Sequence, residues 1–300
     1  MANDRNDFEP SVRNSAWWSG DSRKAANGRA NEAVLTKLGL MPAVDLSDVE
    51  AVQMGHVMQP VIGRLASNKL KLNLKDADYV MTHPKEKWLR SHFDFISEDG
   101  KTLVEAKNYD KANRNKFDET ANIIPSADMA QLIHESACHG IDRVVLAVLF
   151  GGNEFQTFDF TITPDQRQDL IKDMAVYWAH VEGGTPLPAE TVEQARLMYK
   201  VDSATSVTAT QQVETVAAQL KGIKQNIKQL EEHEEQLTKA LMGFMTSHAE
   251  IIRMDGSVVA TWKTAKSSMK FNPTLFQQAM PDIYKQFITE MPGSRRFLIK

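Results

Sequence analysis

Residues 143–150, RVVLAVLF, contain no polar side chain after Arg143. A strand of this composition is buried on both faces, which requires a sheet with helices on each side. A turn at residues 151–153 and a strand-like stretch at 154–162 follow it and predict a hairpin. Helical patterns flank the hairpin at Ala127–His139 and Pro164–His180. The sequence therefore predicts an α/β (α+β) fold with a central sheet between helices.

The N-terminal residues carry weaker patterns. Residues 1–25 are polar apart from two tryptophans, and we predict no regular structure for them. A helix is predicted over residues 45–67, capped by either Asp45 or Ser47. Because proline interrupts the hydrogen-bond ladder of a helix, a kink or a break is expected at Pro60.

The composition changes after residue 185 and predicts four regions. Residues 1–185 contain the predicted sheet and its helices, and residues 186–209, rich in Thr, Ala, Pro and Ser, are predicted to be a connector. Residues 210–248 are predicted to form one long helix, and residues 249–300 a small α+β region. In that last region we expect a hairpin, one helix around Pro273–Ile288 and a final strand, RRFLIK.

The long helix carries an apolar stripe at alternating steps of three and four residues. We call it the heptad seam; its members are Val213, Val216, Leu220, Ile223, Ile227, Leu230, Glu234, Leu237, Leu241 and Phe244. Glu234 is its one polar member. The seam predicts either a coiled coil or a long helix packed on its own domain, and the pattern alone does not decide between them.

The segment from Asp94 to Lys107 carries the chemistry. It predicts two strands, SHFDFIS and TLVEAK, joined by a tight turn. Strand alternation sends Glu105 and Lys107 to the same face, and Asp94 can reach that face from the neighbouring strand. Two carboxylates, the Ala106 carbonyl and an ammonium group suit metal-assisted phosphodiester hydrolysis. Cross-strand pairs of lysine and carboxylate also occur on ordinary solvated faces, so the spacing alone is a weak signal.

Several motifs resemble those of a known family. The pattern HFDF followed by LVEAK resembles the PD-(D/E)xK nuclease signature, with Asp94, Glu105 and Lys107 at its key positions. The longer matches resemble the YqaJ-type viral recombinases, which are related to lambda exonuclease; they are MGHVMQP, LVEAKN, MAQLIHESACHGIDRVVLAVLFGGNEFQTFDF, VVATWK and SRRFLIK. The resemblance implies a PD-(D/E)xK nuclease core over residues 1–185, with a mixed central sheet.

The resemblance also implies roles for individual residues. Asp94, Glu105 and the carbonyl of Ala106 match the ligands of Mg²⁺, for which Mn²⁺ is expected to substitute. Lys107 matches the catalytic lysine, and Gln131 matches an active-site glutamine. A second, looser set falls where relatives hold the terminal 5′-phosphate, namely Arg13 and Ser19 or Ser22.

The sequence departs from the family pattern at two positions. Phe93 stands where the signature has proline, a position that binds no metal. Gln59 stands where many relatives have glutamate, and an amide is a weaker Mg²⁺ ligand than a carboxylate. A second metal is therefore in doubt. His56, one turn earlier on the same helix, is a further residue that can line this face.

The implied function is a Mg²⁺-dependent exonuclease that resects double-stranded DNA ends 5′ to 3′. The implied partners are a single-strand annealing protein of phage-type recombination and further copies of the chain in a trimeric ring. Two alternatives remain open: a structure-specific endonuclease on the same fold, and a non-catalytic DNA-binding or assembly subunit. Retention of Asp94, Glu105 and Lys107 argues against the last.

Composition excludes other classes. A single cysteine, Cys138, excludes an internal disulfide and a cysteine-based zinc site. No apolar run approaches the roughly 20 residues that span a bilayer, so we expect no membrane association and a cytoplasmic protein. The family resemblance implies a phage or prophage protein in a bacterial host. The net charge of −4 is unevenly placed, because residues 251–300 carry eight Lys and Arg against three Asp and Glu. A basic end on an acidic body is compatible with a DNA channel.

Overall fold

The computed structural model describes residues 10–77, 79–291 and 293–300. The chain divides into two units between Tyr199 and Lys200, and each is described by itself. The helices of the first unit are α1 (Pro10–Asn14), α2 (Ser19–Ala26), α3 (Ala30–Lys37), α4 (Glu50–Leu70), α5 (Ser126–His139), α6 (Pro164–Glu182) and α7 (Val192–Met198). Its strands are β1 (Trp17–Trp18), β2 (Leu74–Asp76), β3 (Met81–Thr82), β4 (Leu89–Ser91), β5 (Phe95–Ser97), β6 (Thr102–Tyr109), β7 (Arg143–Phe150) and β8 (Glu154–Thr161).

A five-stranded sheet in the order β2-β5-β6-β7-β8 carries the site described below. Its only parallel pair is β6 with β7, in which Glu105 lies beside Leu146. The other pairs are antiparallel. The sheet is therefore mixed, as predicted, because both predicted hairpins are antiparallel while α5 connects β6 to β7 as a crossover.

Both faces of β7 are buried, as its composition predicts. Val144, Leu146 and Val148 pack with Leu132 of α5 on one face. Val145, Ala147 and Leu149 pack on the other face, in the cluster that contains Ile62 of α4. Since side chains alternate along a strand, this single apolar strand serves two cores at once.

The prediction of irregular structure for residues 1–25 is wrong within the described part of the chain. Helices α1 and α2 and strand β1 form there, and β1 joins β4 and β3 in a three-stranded sheet. Trp17 and Trp18 are fully buried. Trp17 belongs to a core that includes Leu89, Ile171 and Trp178. Burial of the two indoles against distant elements fixes this segment, and a local pattern does not reveal such contacts.

Helix α4 differs from its prediction in two respects. It begins at Glu50, and neither Asp45 nor Ser47 caps it. The Asp45 carboxylate instead accepts a hydrogen bond from the backbone N–H of Ser47, which closes a local turn before the helix. The helix also continues through Pro60 to Leu70 without a break.

The second unit contains α8 (Gln211–Met245), β9 (Glu250–Ile252), β10 (Val258–Thr261), α9 (Pro273–Ala279) and α10 (Pro281–Gln286). The long helix and the following hairpin are confirmed. The single helix predicted around residues 273–288 is divided, because the residue before Pro281 is excluded from helical geometry. The predicted strand at 295–300 is wrong, since these described residues contain no strand. No helix among the described residues is long and apolar enough to span a membrane.

Candidate active site

Asp94 lies in a bend immediately before β5, so the predicted strand at residues 91–97 is interrupted and resumes at Phe95. Two groups from different elements bind its carboxylate. The backbone N–H of Ala106 donates to Oδ2 at 2.8 Å, and the side-chain amide of Gln59 donates to Oδ1 at 2.7 Å. Asp94 is thus held between the sheet and α4.

Glu105 and Lys107 share the face of β6 that is covered by α5. The Lys107 Nζ lies 2.6 Å from the Glu105 Oε1, as strand alternation predicts. The side-chain amide of Gln131 on α5 donates to the same oxygen at 2.6 Å. It also contacts Glu135 Oε1 at 2.9 Å. The structure therefore brings Glu105, Lys107 and Gln131 together, with Asp94 in the bend before the adjoining strand β5.

Burial and the charges of this cluster shift the pKa values of several of its members. Burial, with the negative charge of Glu105 acting in the same direction, raises the pKa of Asp94 to about 8. Burial followed by the charge of Glu105 also raises the pKa of Glu135 well above its ordinary value. Burial of the Lys107 amine works against its charge, but the carboxylate of Glu105 outweighs it and the pKa of Lys107 is raised. Asp94 and Glu135 therefore take up a proton more readily than ordinary carboxyl groups, while the lysine stays charged.

Two orphaned oxygens show that this cluster suits a cation. Glu105 Oε2 and Glu135 Oε2 are buried and have no hydrogen-bond partner among the described residues. An unpaired buried carboxylate oxygen is costly, and a divalent cation or a proton relieves that cost. Within the described ranges no three His, Cys, Asp or Glu side chains converge as a metal site. A cation here therefore requires the Ala106 carbonyl and water as well as Asp94 and Glu105.

A cavity of about 430 Å³ adjoins the cluster. Its lining includes Ser19, Gln131 and cationic groups, namely Arg13, Arg23, Lys24, Arg29 and Lys107. The guanidinium of Arg23 is fixed by Tyr109 and Asp128, at 2.9 and 3.0 Å. The cavity therefore combines positive charge with direct access to Lys107, which is the environment a phosphate group requires.

The remaining predicted residues have different environments. Ser22 does not line the cavity; its hydroxyl is buried and contacts His134 Nδ1 at 2.8 Å. His134 Nε2 lies 2.8 Å from the Arg90 carbonyl, so this nitrogen donates and Nδ1 accepts from Ser22. Burial lowers the pKa of His134 to about 4. This pair ties α2 to α5. His56 is exposed on α4, and Gln59, one turn later, is the residue of this helix that binds Asp94.

Sequence reasoning missed Glu135 and most of the cationic cavity. Glu135 follows Gln131 by one helical turn, and this i, i+4 spacing was the available signal. The cavity residues Arg23, Lys24 and Arg29 lie in and after a segment that was predicted to be irregular. Without α2, no pattern indicated that these side chains face β6.

Residues 22–142 match the model of the YqaJ-like viral recombinase domain. The match includes Asp94, Glu105, Lys107 and Gln131. It begins at Ser22, after Arg13 and Ser19. No curated protein matches the sequence.

Two solved structures are similar to this chain. An alkaline exonuclease from Laribacter hongkongensis, LHK-Exo, is 14% identical with a TM-score of 0.48, and the match covers 58% of this chain and 91% of that one. A phage-related exonuclease from Haemophilus somnus 129PT is 11% identical with a TM-score of 0.46, and the match covers 56% of this chain and 94% of that one.

Proposed function

We propose that this chain is a Mg²⁺-dependent exonuclease, because residues 22–142 match the model of the YqaJ-like viral recombinase domain. Its substrate is linear double-stranded DNA, which it degrades 5′ to 3′ to leave a 3′ single strand. The observation that carries the proposal is the cluster of Asp94, Glu105 and Lys107, tied together by Gln131 and placed beside the cationic cavity. Carboxylates, an ammonium group and a phosphate-sized cationic space are what hydrolysis at a DNA end needs.

The donor set assigns a role to each residue. Asp94, Glu105 and the Ala106 carbonyl would hold Mg²⁺, or Mn²⁺ in its place, and the orphaned Glu105 Oε2 supports this assignment. A bound divalent ion supplies a water of lowered pKa and neutralises charge on the scissile phosphate. Lys107 remains protonated and stabilises negative charge as it develops. Gln131 fixes the orientation of Glu105 through its amide.

The cavity supports the proposed 5′ to 3′ direction of degradation. Arg13 and Ser19 line it and would hold the terminal 5′-phosphate, with Arg23 as a further cation on the same wall. Ser22 does not line the cavity, but its hydrogen bond to His134 holds α2, which carries Ser19 and Arg23, against α5. A terminal phosphate bound here sets the distance from the DNA end to Lys107, and hence the bond that is cut.

The context proposed for the enzyme is phage-type recombination in the cytoplasm of a bacterial host. The 3′ strand would pass to a single-strand annealing protein, and the chain would act as a homo-oligomer, with a trimeric ring as the arrangement implied by the family resemblance. The proposed DNA channel agrees with the net charge of +5 in residues 251–300.

End-labelled DNA tests the proposal. Linear duplex carrying a label at the 5′ or the 3′ end, and closed circular duplex, are incubated with the protein in Mg²⁺ or in EDTA. We expect early release of the 5′ label from linear DNA in Mg²⁺, intact circles, and no reaction in EDTA. Nicked circles would favour an endonuclease. Binding without cleavage under every condition would favour a non-catalytic subunit.

A further inference from the structure

The heptad seam of α8 is an apolar stripe that the rest of the second unit leaves uncovered. Within this unit the helix runs 35 residues, from Gln211 to Met245, and Met245 is the one residue of the helix that is buried. Seam side chains along its whole length are exposed, including Ile223 (54%), Leu230 (68%) and Phe244 (77%). A stripe of this length and spacing is the pairing surface of a coiled coil.

We propose that this seam pairs with the same seam of a second copy of the chain, and that the two helices run antiparallel. This two-fold contact is separate from the contact that would close the proposed trimeric ring, so the second copy would belong to another ring. One antiparallel register leaves no seam residue unopposed. In that register Val213 faces Phe244 of the second copy, and Ile227 faces Leu230 at the centre. The two seams therefore match residue for residue over their full length, and eight of the ten contacts are between apolar side chains, as a two-fold symmetric interface allows.

The flanking charges support this register. Lys224 and Glu231 each follow a seam residue directly, at the position beside the core where coiled coils place their interhelical ion pairs. In the antiparallel register Lys224 of each copy lies opposite Glu231 of the other, which gives two symmetric pairs of opposite charge. Seven residues separate them within one helix, about 10 Å along the axis, so they do not pair with each other in one chain. Neither forms an ion pair with any described residue of its own chain.

A parallel pair lacks these advantages. Glu234 would face Glu234 of the second copy inside the core, an unfavourable contact between like charges. In the antiparallel register Glu234 instead faces Ile223 of the second copy, next to its Lys224. Parallel pairing would also place Lys224 opposite Gln219, and Glu231 opposite Asn226, with no opposite charge to meet. The charge pattern therefore favours the antiparallel second copy as the occupant of the seam.

Charge reversal in the full-length protein tests the pairing by analytical ultracentrifugation over a range of concentrations. Each of the single variants Lys224→Glu and Glu231→Lys places like charges at two points of the dimer, so we expect self-association to weaken about tenfold or more. The double variant reverses both partners and should restore the wild-type dissociation constant to within about twofold. Lys221→Glu, the same change on the outer face of α8, is the matched control and should leave association unchanged.

Cross-linking tests the orientation. Lys224→Cys and Glu231→Cys proteins are treated with a short bis-maleimide, separately and as a mixture, with the wild-type chain as the control for its buried Cys138. We expect dimers mainly in the mixture. Cross-linking of Lys224→Cys to Gln219→Cys in a second mixture, the pair that a parallel arrangement would bring together, would establish parallel pairing and overturn the proposal. A wild-type chain that stays monomeric, single charge variants that associate normally, or a double variant that fails to recover would overturn it as well.

Discussion

Replacing Gln59 by glutamate tests how Asp94 is held. In the wild type the Gln59 amide donates to Asp94 Oδ1 at 2.7 Å. Gln59→Glu removes this hydrogen bond to a charged group, which is worth about 1.5–3 kcal/mol. It also places a second carboxylate beside Asp94, and like charges at about 4 Å repel by about 4 kcal/mol at the effective dielectric of a protein.

Proton uptake limits this cost, because Asp94 already has a raised pKa and takes up a proton readily. In EDTA at about pH 9, where Asp94 of the wild type is ionised, we therefore expect the free energy of unfolding to fall by about 3 kcal/mol, less than the full sum. Mg²⁺ should reverse the effect, since a third negative group strengthens cation binding. We expect the Mg²⁺ affinity to rise tenfold or more, with a correspondingly larger stabilisation by the metal.

Thermal unfolding followed by circular dichroism, in EDTA and across a Mg²⁺ titration, measures both effects. Gln53→Glu is the matched control, because it adds the same charge on the exposed part of α4 and removes one exposed amide hydrogen bond, to the Ser47 carbonyl. If Gln59→Glu is as stable as the wild type in EDTA and responds to Mg²⁺ no more strongly, the contact between Gln59 and Asp94 does not belong to a cation site.

Three further outcomes follow from other parts of the first unit. The pKa of His134 is about 4 in the folded state, against about 6.5 in the unfolded state. Its contribution to the free energy of unfolding is therefore complete above pH 6.5, and on the order of 3 kcal/mol is lost as the pH falls towards 4. In urea unfolding, His134→Asn should reduce this loss of stability at acid pH, which we call the acid limb. Gly63→Ala places a methyl group 2.5 Å from the ring of Phe95 and should cost about 1–3 kcal/mol, measured in the same way. Arg23→Ala should weaken binding of a 5′-phosphorylated duplex in EDTA about tenfold, measured by fluorescence anisotropy, because it removes a charged hydrogen-bond donor from the cavity wall.

Each of these outcomes has a control. A variant at His134 with an unchanged acid limb would show that another group titrates there. Gly55→Ala on the same helix meets no atom within 4 Å and should stabilise by up to about 1 kcal/mol, so equal effects at the two glycines would contradict the close packing at Gly63. Lys116→Ala, an exposed cation outside the cavity, should leave duplex binding unchanged.

The sequence was informative wherever a local period coincided with burial. The apolar run at 143–150 predicts a strand covered on both faces, and the structure places α4 and α5 there. The alternation in TLVEAK predicts the shared face of Glu105 and Lys107, whose charged groups lie 2.6 Å apart. These features depend on neighbours in the chain, and sequence patterns report such relations well.

Features that depend on contacts between residues far apart in the sequence could not be predicted from local patterns. The segment around Trp17 carries no helical period, and its structure is fixed by burial against residues more than a hundred positions away, such as Met174 and Trp178. The cationic cavity depends on this segment, so Arg23 was missed with it. Glu135 was missed because its role comes from Gln131, which binds it and Glu105 together.

The rate at which Lys107→Ala degrades a 5′-labelled linear duplex in saturating Mg²⁺ decides whether this cluster is an active site. We expect the rate to fall on the order of a hundredfold or more, because the variant loses the positive charge that lines the cavity proposed to hold the phosphate. Folding by circular dichroism and DNA binding in EDTA should persist. Lys101→Ala, in the exposed turn of the same hairpin, should cleave at the wild-type rate. Wild-type cleavage by Lys107→Ala would show that the cluster of Asp94, Glu105 and Lys107 is not the catalytic centre.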